Sequence, residues 1–320
     1  MSFEPVVNAD DVKKAADRIA SHVNRTPCLH NEVLSRSVGA EVYLKCENLQ
    51  HVGAFKARGA MNASMLLSES QRQCGVVAHS SGNHAAALAR AAKILGMQAH
   101  IVMPENSARI KIAAVEELGV APVFCEPNAQ SRDRVAAELR ERTGATLIHP
   151  YETPGVIAGQ GTVGLEILQQ VPDVDCILAP VGGGGLLSGI LTIVKQAAPN
   201  VQVFAVEPAL ADDAARSLQA GKILQPERYD TIADGLRSPL GENTFPIIQA
   251  LVDDILLVSE KAIGRSMRAL AMKGRIVAEP SGAVAMAGAA ENASRFAGKR
   301  VAVVVTGGNM DFGGCKVGQQ

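Results

Sequence analysis

Hydrophobic positions along the chain follow two periods in alternation. Apolar residues from Val12 to Val23 recur at helical spacing behind Asp10 and Asp11, whose carboxylates can cap the first-turn amides. Beyond them, short apolar or alternating runs predict strands at 41–47, 75–80, 99–104, 121–126, 145–150, 176–181, 201–207, 255–259 and 300–306. Helical spacing predicts further helices at 82–95, 109–119, 131–144, about 159–170, after residue 185, about 260–273 and 282–296. This alternation predicts an α/β fold with mainly parallel sheets covered by helices.

The segment from Tyr151 to Gly161 is the best candidate for a boundary between two α/β lobes. It contains Pro154, Gly155 and Gly159, which are typical of a break between elements. A cleft between two lobes would be the natural place for a binding site.

Composition and charge favour a small-molecule partner. The 320 residues allow one or two domains, and 31 basic against 32 acidic residues give a net charge of −1. No overall field therefore favours nucleic acid or an anionic membrane surface. The uncharged segment from Cys176 to Val194 is long enough to span a bilayer, but Pro180 and four glycines interrupt it, which favours a strand, a loop and a helix. The N-terminus lacks the basic start and apolar block of a secretory signal. The six cysteines form no C-x-x-C pair, so we expect reduced thiols in a cytoplasmic protein.

Four consecutive glycines, Gly182–Gly185, separate a predicted buried strand from a helix. Glycine permits positive φ and lets successive N–H groups approach an anion at a helix start. A P-loop is excluded because no Lys-Ser/Thr pair closes the loop. A dinucleotide loop would use Gly183 and Gly185, with Ser188 in place of the third glycine and Glu207 holding a ribose. The remaining alternative is a glycine turn that only lets the helix pack closely on the sheet. For four glycines in a row we favour phosphate binding over such a turn.

A second polar cluster, HSSGNH at 79–84, stands at the start of an otherwise alanine-rich helix. Ser80 or Ser81 is predicted to cap this helix, and Asn83 and His84 would point into the space above the preceding strand. A substrate carboxylate could bind to the first-turn amides. The alternative is an ordinary cap in which a buried asparagine satisfies backbone groups.

Seven motifs, in order and spacing, resemble the serine/threonine dehydratase and serine racemase family of pyridoxal phosphate (PLP) enzymes. They are GAFKARGA (53–60), SSGNHA (80–85), IAGQGT (157–162), VGGGGLLSG (181–189), VEPALADD (206–213), AEPSGA (278–283) and VVTGGN (304–309). The resemblance runs from about residue 10 to residue 314. It implies the tryptophan-synthase-β type of fold (PLP fold type II), in which a small domain at 75–150 is inserted into a large PLP-binding domain made of 1–74 and 151–320.

The same resemblance implies roles around the cofactor. Lys56 corresponds to the Schiff-base lysine, and Phe55 to the side chain that packs on the ring. Asn83 corresponds to the residue that binds the phenolic oxygen, Gly182–Gly185 to the phosphate cradle, and Thr306 to the hydroxyl facing the ring nitrogen. A hydroxyl cannot give that nitrogen a full proton, so a short-lived carbanion and rapid loss of a β-substituent are expected.

For the substrate, the resemblance implies that Ser80, Ser81, Asn83 and His84 hold its carboxylate while Lys56 removes the α-proton. The expected reaction is β-elimination from serine, threonine or 3-hydroxyaspartate, giving a 2-oxo acid and ammonia. Ser81 would face Lys56 across the substrate, so an amino acid racemase is the alternative within this class. A nicotinamide-dependent oxidoreductase is the alternative from a different class.

Further expectations concern the far end of the substrate and a metal. Arg132 corresponds to an arginine that could bind a second carboxylate, although its charged helix also fits a solvated face. Glu207, Ala211 through its carbonyl, and Asp213 correspond to a divalent metal site, which displaces the ribose role of Glu207. All-oxygen ligands suit Mg²⁺, or Ca²⁺ or Mn²⁺, although a solvated acidic turn is the alternative. The resemblance also implies a homodimer.

Overall fold

The computed structural model describes residues 5–80, 82–107 and 109–310. Strands and helices alternate along most of this length. The strands are β1 Cys28–His30, β2 Glu41–Cys46, β3 Val76–His79, β4 Ala99–Pro104, β5 Val123–Cys125, β6 Thr146–Leu147, β7 Cys176–Pro180, β8 Gln202–Pro208, β9 Asp254–Val258 and β10 Arg300–Val305. The α-helices are α1 Ala9–Ile19, α2 Glu32–Val38, α3 Lys56–Met65, α4 Glu69–Cys74, α5 Asn83–Leu95, α6 Arg109–Glu116, α7 Ala129–Thr143, α8 Pro154–Gln170, α9 Gly185–Ala197, α10 Asp213–Ala220, α11 Phe245–Leu251, α12 Glu260–Ala269, α13 Pro280–Glu291 and α14 Ala293–Phe296.

The strands form two sheets. One has the order β1-β2-β10-β7-β8-β9, in which only the β1–β2 pair is antiparallel. The other has the order β5-β4-β3-β6 and is parallel throughout. Apolar clusters cover both faces of each sheet, and the predicted α/β class with mainly parallel sheets is confirmed. All strands of the second sheet lie between residues 76 and 147, and the boundaries at 75 and 150 stay a prediction.

Two helix starts differ from the sequence expectations. The cap of α1 is Asn8, whose side chain accepts the N–H groups of Asp10 and Asp11, so the prediction that the two aspartates cap this helix is wrong. Asp11 instead accepts the N–H of Asn8 at 3.0 Å and completes a capping box. Helix α8 begins at Pro154, five residues before the predicted start near 159. Proline is well tolerated at the first position of a helix, so Pro154 can begin α8 and need not break it.

Glycines inside α8 mark close helix crossings. A Cβ added to Gly161 would lie 2.7 Å from the carbonyl oxygen of Gly189 on α9. One added to Gly159 would lie 2.9 Å from the carbonyl oxygen of Arg58 on α3. Both distances are too short for a side chain, so these glycines allow α8 to pack directly against its two neighbours.

A buried ionic network anchors α3. The Arg58 side chain is fully buried, and its guanidinium donates to both carboxylate oxygens of Glu47 at 2.8 Å and to those of Glu166 at 2.7 and 2.9 Å. Lys45 donates to Glu166 at 2.5 Å and to the carbonyl of Thr26 at 2.7 Å. The network therefore ties α3 to β2 and α8 through charges that are paired in a dry environment.

No helix in the described part of the chain is long and apolar enough to cross a membrane. The segment from Cys176 to Val194 folds as β7, the glycine loop and the first part of α9, as predicted. The cysteines within the described ranges are free thiols, and Cys315 lies outside those ranges.

Candidate active site

A cavity of about 480 Å³ lies where the carboxyl ends of strands from both sheets meet. Its lining includes His79 at the end of β3, Pro180 at the end of β7, and His149 and Thr306, which follow β6 and β10. The ends of parallel strands are the usual position for ligands in α/β folds, because side chains and helix starts converge there.

Lys56 is the first residue of α3 and lines this cavity. Its Nζ donates to the carbonyl oxygen of Pro150 at 2.9 Å and lies 5.0 Å from the centroid of the Phe55 ring. Burial lowers the pKa of the Lys56 amine to about 8, because a charged ammonium is poorly solvated there. The amine is thus closer to a free base at neutral pH than an exposed lysine, as a nucleophile or proton acceptor requires.

The glycine loop lines the same cavity and has the features of an anion cradle. Gly184 has φ of +88°, and a Cβ on Gly183 would overlap the ring of Tyr151. Among the described residues, the N–H groups of Gly182–Gly185 have no acceptor, and α9 begins at the last of them. Four free N–H groups at a helix start fit a phosphate, as predicted for this loop.

Thr306 and Phe55 are hydrogen-bonded to each other and line the same cavity. Thr306 is 4% exposed and immediately follows β10, and its carbonyl accepts the N–H of Phe55 at 3.1 Å. Both residues line the cavity beside Lys56. Their hydroxyl and ring fit the predicted contacts with a pyridine nitrogen and a pyridine face.

The helix start at α5 differs in detail from its prediction. Its cap is Gly82, so the prediction that Ser80 or Ser81 caps the helix is wrong. Ser80 instead accepts the N–H of Gly82 at 3.3 Å, a local turn that brings its hydroxyl to the cavity wall. Ser81 lies outside the described residues. The backbone N–H groups of Asn83 and His84 have no acceptor in the described ranges, which leaves them available to an anion.

The His84 side chain is poorly suited to bind a carboxylate. It is 2% exposed, and its Nε2 donates to the carbonyl oxygen of Ile148 at 2.8 Å. Burial lowers its pKa to about 3, so the ring is neutral and its Nδ1 can only accept. For this residue the backbone N–H, and not the imidazole, is the group that could hold a substrate carboxylate.

Arg132 reaches the cavity from α7. Its Nε is buried and has no partner among the described residues. Lys111, another cation that lines the cavity, is paired with Asp234. Arg132 therefore offers uncompensated positive charge to an anionic group in the cavity.

Comparison with known proteins decides the family. The sequence profile of the family described as "Pyridoxal-phosphate dependent enzyme" matches residues 19–307. The chain is 42% identical over 307 residues to a serine racemase from Arabidopsis thaliana, covering 94% of this chain and 93% of that one. It is 42% identical over 303 residues to a beta-hydroxyaspartate dehydratase from Paracoccus denitrificans, covering 95% and 96%. The structure of maize serine racemase superposes with a TM-score of 0.95 at 41% identity, covering 97% and 96%.

The chain belongs to the pyridoxal-phosphate dependent enzymes. The predicted family and fold type, and PLP as the cofactor, are thereby confirmed. The glycine loop of this PLP enzyme is consequently not a dinucleotide loop, and the nicotinamide oxidoreductase alternative is wrong. The residues around the cavity also fit PLP. The Lys56 amine, the glycine loop with its backbone N–H groups and the Phe55 ring all line it.

The structure also places residues in the site that the sequence did not single out. Glu279, just before α13, lines the cavity and accepts a hydrogen bond from Asn83 Nδ2 at 2.7 Å. His149 packs between His79 and Tyr151, with ring centroids 5.3 and 4.5 Å away. Nothing in the local sequence pattern marks these residues, although Glu279 lies within the AEPSGA motif.

The predicted metal residues cluster at the end of β8 and the start of α10. Glu207 is 1% exposed, and its carboxylate accepts the N–H groups of Ala214 at 2.8 Å and Ala215 at 3.0 Å. Both carboxylate oxygens of Asp213 are buried without a partner among the described residues, and burial raises the pKa of Asp213 to about 7. Ala211 is buried in the turn between the two acids. An unpartnered buried carboxylate next to a second one fits an oxygen-ligated cation.

Proposed function

We propose that this PLP enzyme catalyses β-elimination from small β-hydroxy amino acids, with a 3-hydroxyaspartate as its preferred substrate. The products would be a 2-oxo acid and ammonia. The observation that carries the proposal is that a buried amine, Lys56, and an uncompensated guanidinium, Arg132, line one cavity.

Lys56 is the group that would take the proton from the substrate α-carbon. The Pro150 carbonyl accepts a hydrogen bond from this amine, which defines the position of the amine when it is free. When bound, PLP supplies the electron-accepting ring that makes this α-proton acidic. Thr306 would hydrogen-bond the ring nitrogen without protonating it, which favours quick loss of the β-hydroxyl over long persistence of the negative charge.

The start of α5 would hold the α-carboxylate. The N–H groups of Asn83 and His84, which have no acceptor in the described ranges, point along the helix axis, where the helix dipole favours negative charge. Ser80 adds a hydroxyl that lines the same cavity. This arrangement would fix the α-carbon relative to Lys56.

Arg132 would bind the second carboxylate of a hydroxyaspartate. A guanidinium matches a carboxylate with two parallel hydrogen bonds, and the Nε of Arg132 is buried without a hydrogen-bond partner among the described residues. The name of the Paracoccus relative, a beta-hydroxyaspartate dehydratase, supports this choice.

We expect the holoenzyme to release ammonia faster from one stereoisomer of 3-hydroxyaspartate than from serine or threonine. Arg132→Gln should lower kcat/KM for that substrate about 100-fold, in line with the loss of charged hydrogen bonds, and change the value for serine by less than about threefold. Ammonia release across all stereoisomers of the three substrates measures this.

Arg134→Gln is the matched control, since Arg134 is on the same helix but pairs with Glu138 in solvent. If Arg132→Gln and Arg134→Gln lower kcat/KM by the same factor on every substrate, Arg132 does not bind a second carboxylate. If no substrate in the panel releases ammonia, the β-elimination itself is wrong.

A racemase is the second candidate, supported by the serine racemases among the relatives. It would use Lys56 and Ser81 as bases on opposite faces of the α-carbon. Measuring D-serine formation from L-serine beside ammonia release separates the two activities, because a racemase converts L-serine to D-serine without releasing ammonia.

We further propose that Glu207, Asp213 and the Ala211 carbonyl bind Mg²⁺ or another oxygen-preferring divalent cation. Chelation should lower the melting temperature by several degrees and added Mg²⁺ should restore it, since saturation at 100 times Kd is worth about 2.7 kcal/mol. Asp213→Asn should abolish this response. Glu227→Gln, which alters an exposed acid paired with Arg216, should keep it. A response that survives in Asp213→Asn would contradict the site.

The homodimer and the small domain at 75–150 stay predictions from the resemblance, and the cytoplasmic location stays a prediction from the N-terminus and the cysteines. Gel filtration of the holoenzyme would check the first of them.

A further inference from the structure

The side-chain amide of Asn83 is held at both ends by other polar side chains. Its Oδ1 accepts from Asn309 Nδ2 at 2.9 Å, and its Nδ2 donates to Glu279 Oε1 at 2.7 Å. Asn309 Nδ2 also donates to the carbonyl of Val52 at 2.7 Å, which identifies it as a nitrogen. Since the Glu279 oxygen accepts, the Asn83 amide has only one orientation that satisfies both neighbours.

Glu279 occupies a place built for this contact. It is 5% exposed and directly precedes α13, yet its side chain does not cap that helix. Its backbone N–H donates to the carbonyl of Gly307 at 3.0 Å. A side chain on Gly307 would overlap Glu279 Oε1, so the glycine leaves room for the carboxyl group to face Asn83.

An amide nitrogen carries two hydrogens, and one of those on Asn83 Nδ2 is donated in the hydrogen bond to Glu279. No acceptor for the other lies within the described ranges, and Asn83 lines the cavity. Rotating the Asn83 amide by half a turn would place its oxygen against Glu279 Oε1, and these two acceptor oxygens would repel each other. The orientation that Glu279 imposes is therefore the one that offers an N–H to an oxygen of the cofactor.

We propose that Glu279 is a positioning residue that holds the Asn83 amide with its second N–H directed at an acceptor oxygen of the bound cofactor. The inference rests on the proposed contact between Asn83 and that oxygen. Burial raises the pKa of Glu279 to about 7; the hydrogen bond from Asn83 opposes the rise, Asp234 adds to it and Lys111 opposes it. The contact survives either charge state, because one carboxyl oxygen accepts in both.

The test is a double-mutant cycle on cofactor affinity. PLP is titrated into cofactor-free wild type, Asn83→Ala, Glu279→Ala and the double variant, with Kd taken from the visible absorbance. Each single variant should bind PLP about tenfold more weakly, which is the contribution of one ordinary hydrogen bond. The double variant should lie within about twofold of Asn83→Ala, because Glu279 acts through Asn83.

Glu279→Gln should keep Kd within about twofold of wild type, since its amide oxygen still accepts from Asn83. Glu291→Gln, the same charge change at the far end of α13, should leave Kd and the absorbance spectrum unchanged. The spectrum of Glu279→Ala should match that of Asn83→Ala, a signature that general loosening of the fold would not produce.

Other results overturn the inference. If Glu279→Ala weakens PLP binding as much in the Asn83→Ala background as in wild type, Glu279 acts independently of Asn83. If Glu279→Gln loses as much affinity as Glu279→Ala, its charge matters and its geometry does not. If Asn83→Ala binds PLP normally, the proposed role of Asn83 is wrong. Should Glu279→Ala fail to unfold cooperatively, Glu279→Met keeps the volume and takes its place in the cycle.

Discussion

Replacing Lys56 by alanine is expected to lower kcat by at least about 10³-fold, within the range that a positioned proton-transfer group contributes. The amine is buried at the start of α3, fixed by the Pro150 carbonyl, with its pKa lowered to about 8. Lys111, the other described lysine that lines the cavity, is paired with Asp234, so we do not expect it to substitute. Steady-state ammonia release from 3-hydroxyaspartate measures the loss.

The matched control is Lys195→Ala, which removes a lysine paired with Asp253 at the far end of α9. It should retain activity within about twofold, because neither Lys195 nor Asp253 lines the cavity. A second measurement separates loss of chemistry from loss of folding. Borohydride reduction of the holoenzyme should attach PLP to the peptide that contains residue 56, and the alanine variant should not be labelled. Labelling of a different lysine in wild type would refute the assignment.

Replacing Arg58 by methionine is expected to cost about 3–5 kcal/mol of unfolding free energy, because it leaves buried carboxylates without their cation. Glu47 is completely buried, and both of its oxygens accept from the Arg58 guanidinium. The side chains of Arg58 and Glu47 are both fully buried, so water cannot replace the guanidinium beside Glu47. Urea unfolding followed by circular dichroism measures the change.

Arg36→Met is the control for Arg58, since Arg36 pairs with Glu32 on the surface with both side chains more than 70% exposed. It should change the unfolding free energy by less than about 1 kcal/mol. Equal losses in the two variants would show that the buried network contributes no more than a surface pair. Because Arg58 lies two residues after Lys56 on α3, we also expect its loss to weaken PLP binding in the folded fraction.

The elements best predicted from sequence are those whose apolar pattern is strong and local. The run CILAP and the four glycines after it predict β7, the loop and α9 close to their observed bounds. The pattern did not predict α3, because its small and polar residues, including Arg58 and Asn62, are buried on nearly every side. The early start of α8 was missed because Gly155 and Gly159 indicated a break. In the structure these glycines let α8 pack on α3.

The α/β class and the two helix starts proposed to bind anions follow from the order of apolar runs, glycines and polar residues, since such patterns depend on neighbours within a few positions. Which lysine has a depressed pKa, whether Arg132 faces solvent or the cavity, and why the Asn83 amide points one way depend on folding. Glu279 is 196 positions away from Asn83, and Lys56 is 94 positions away from the Pro150 carbonyl. Burial and contacts over such separations arise when the two sheets bring their carboxyl edges together, and local periodicity carries no information about them.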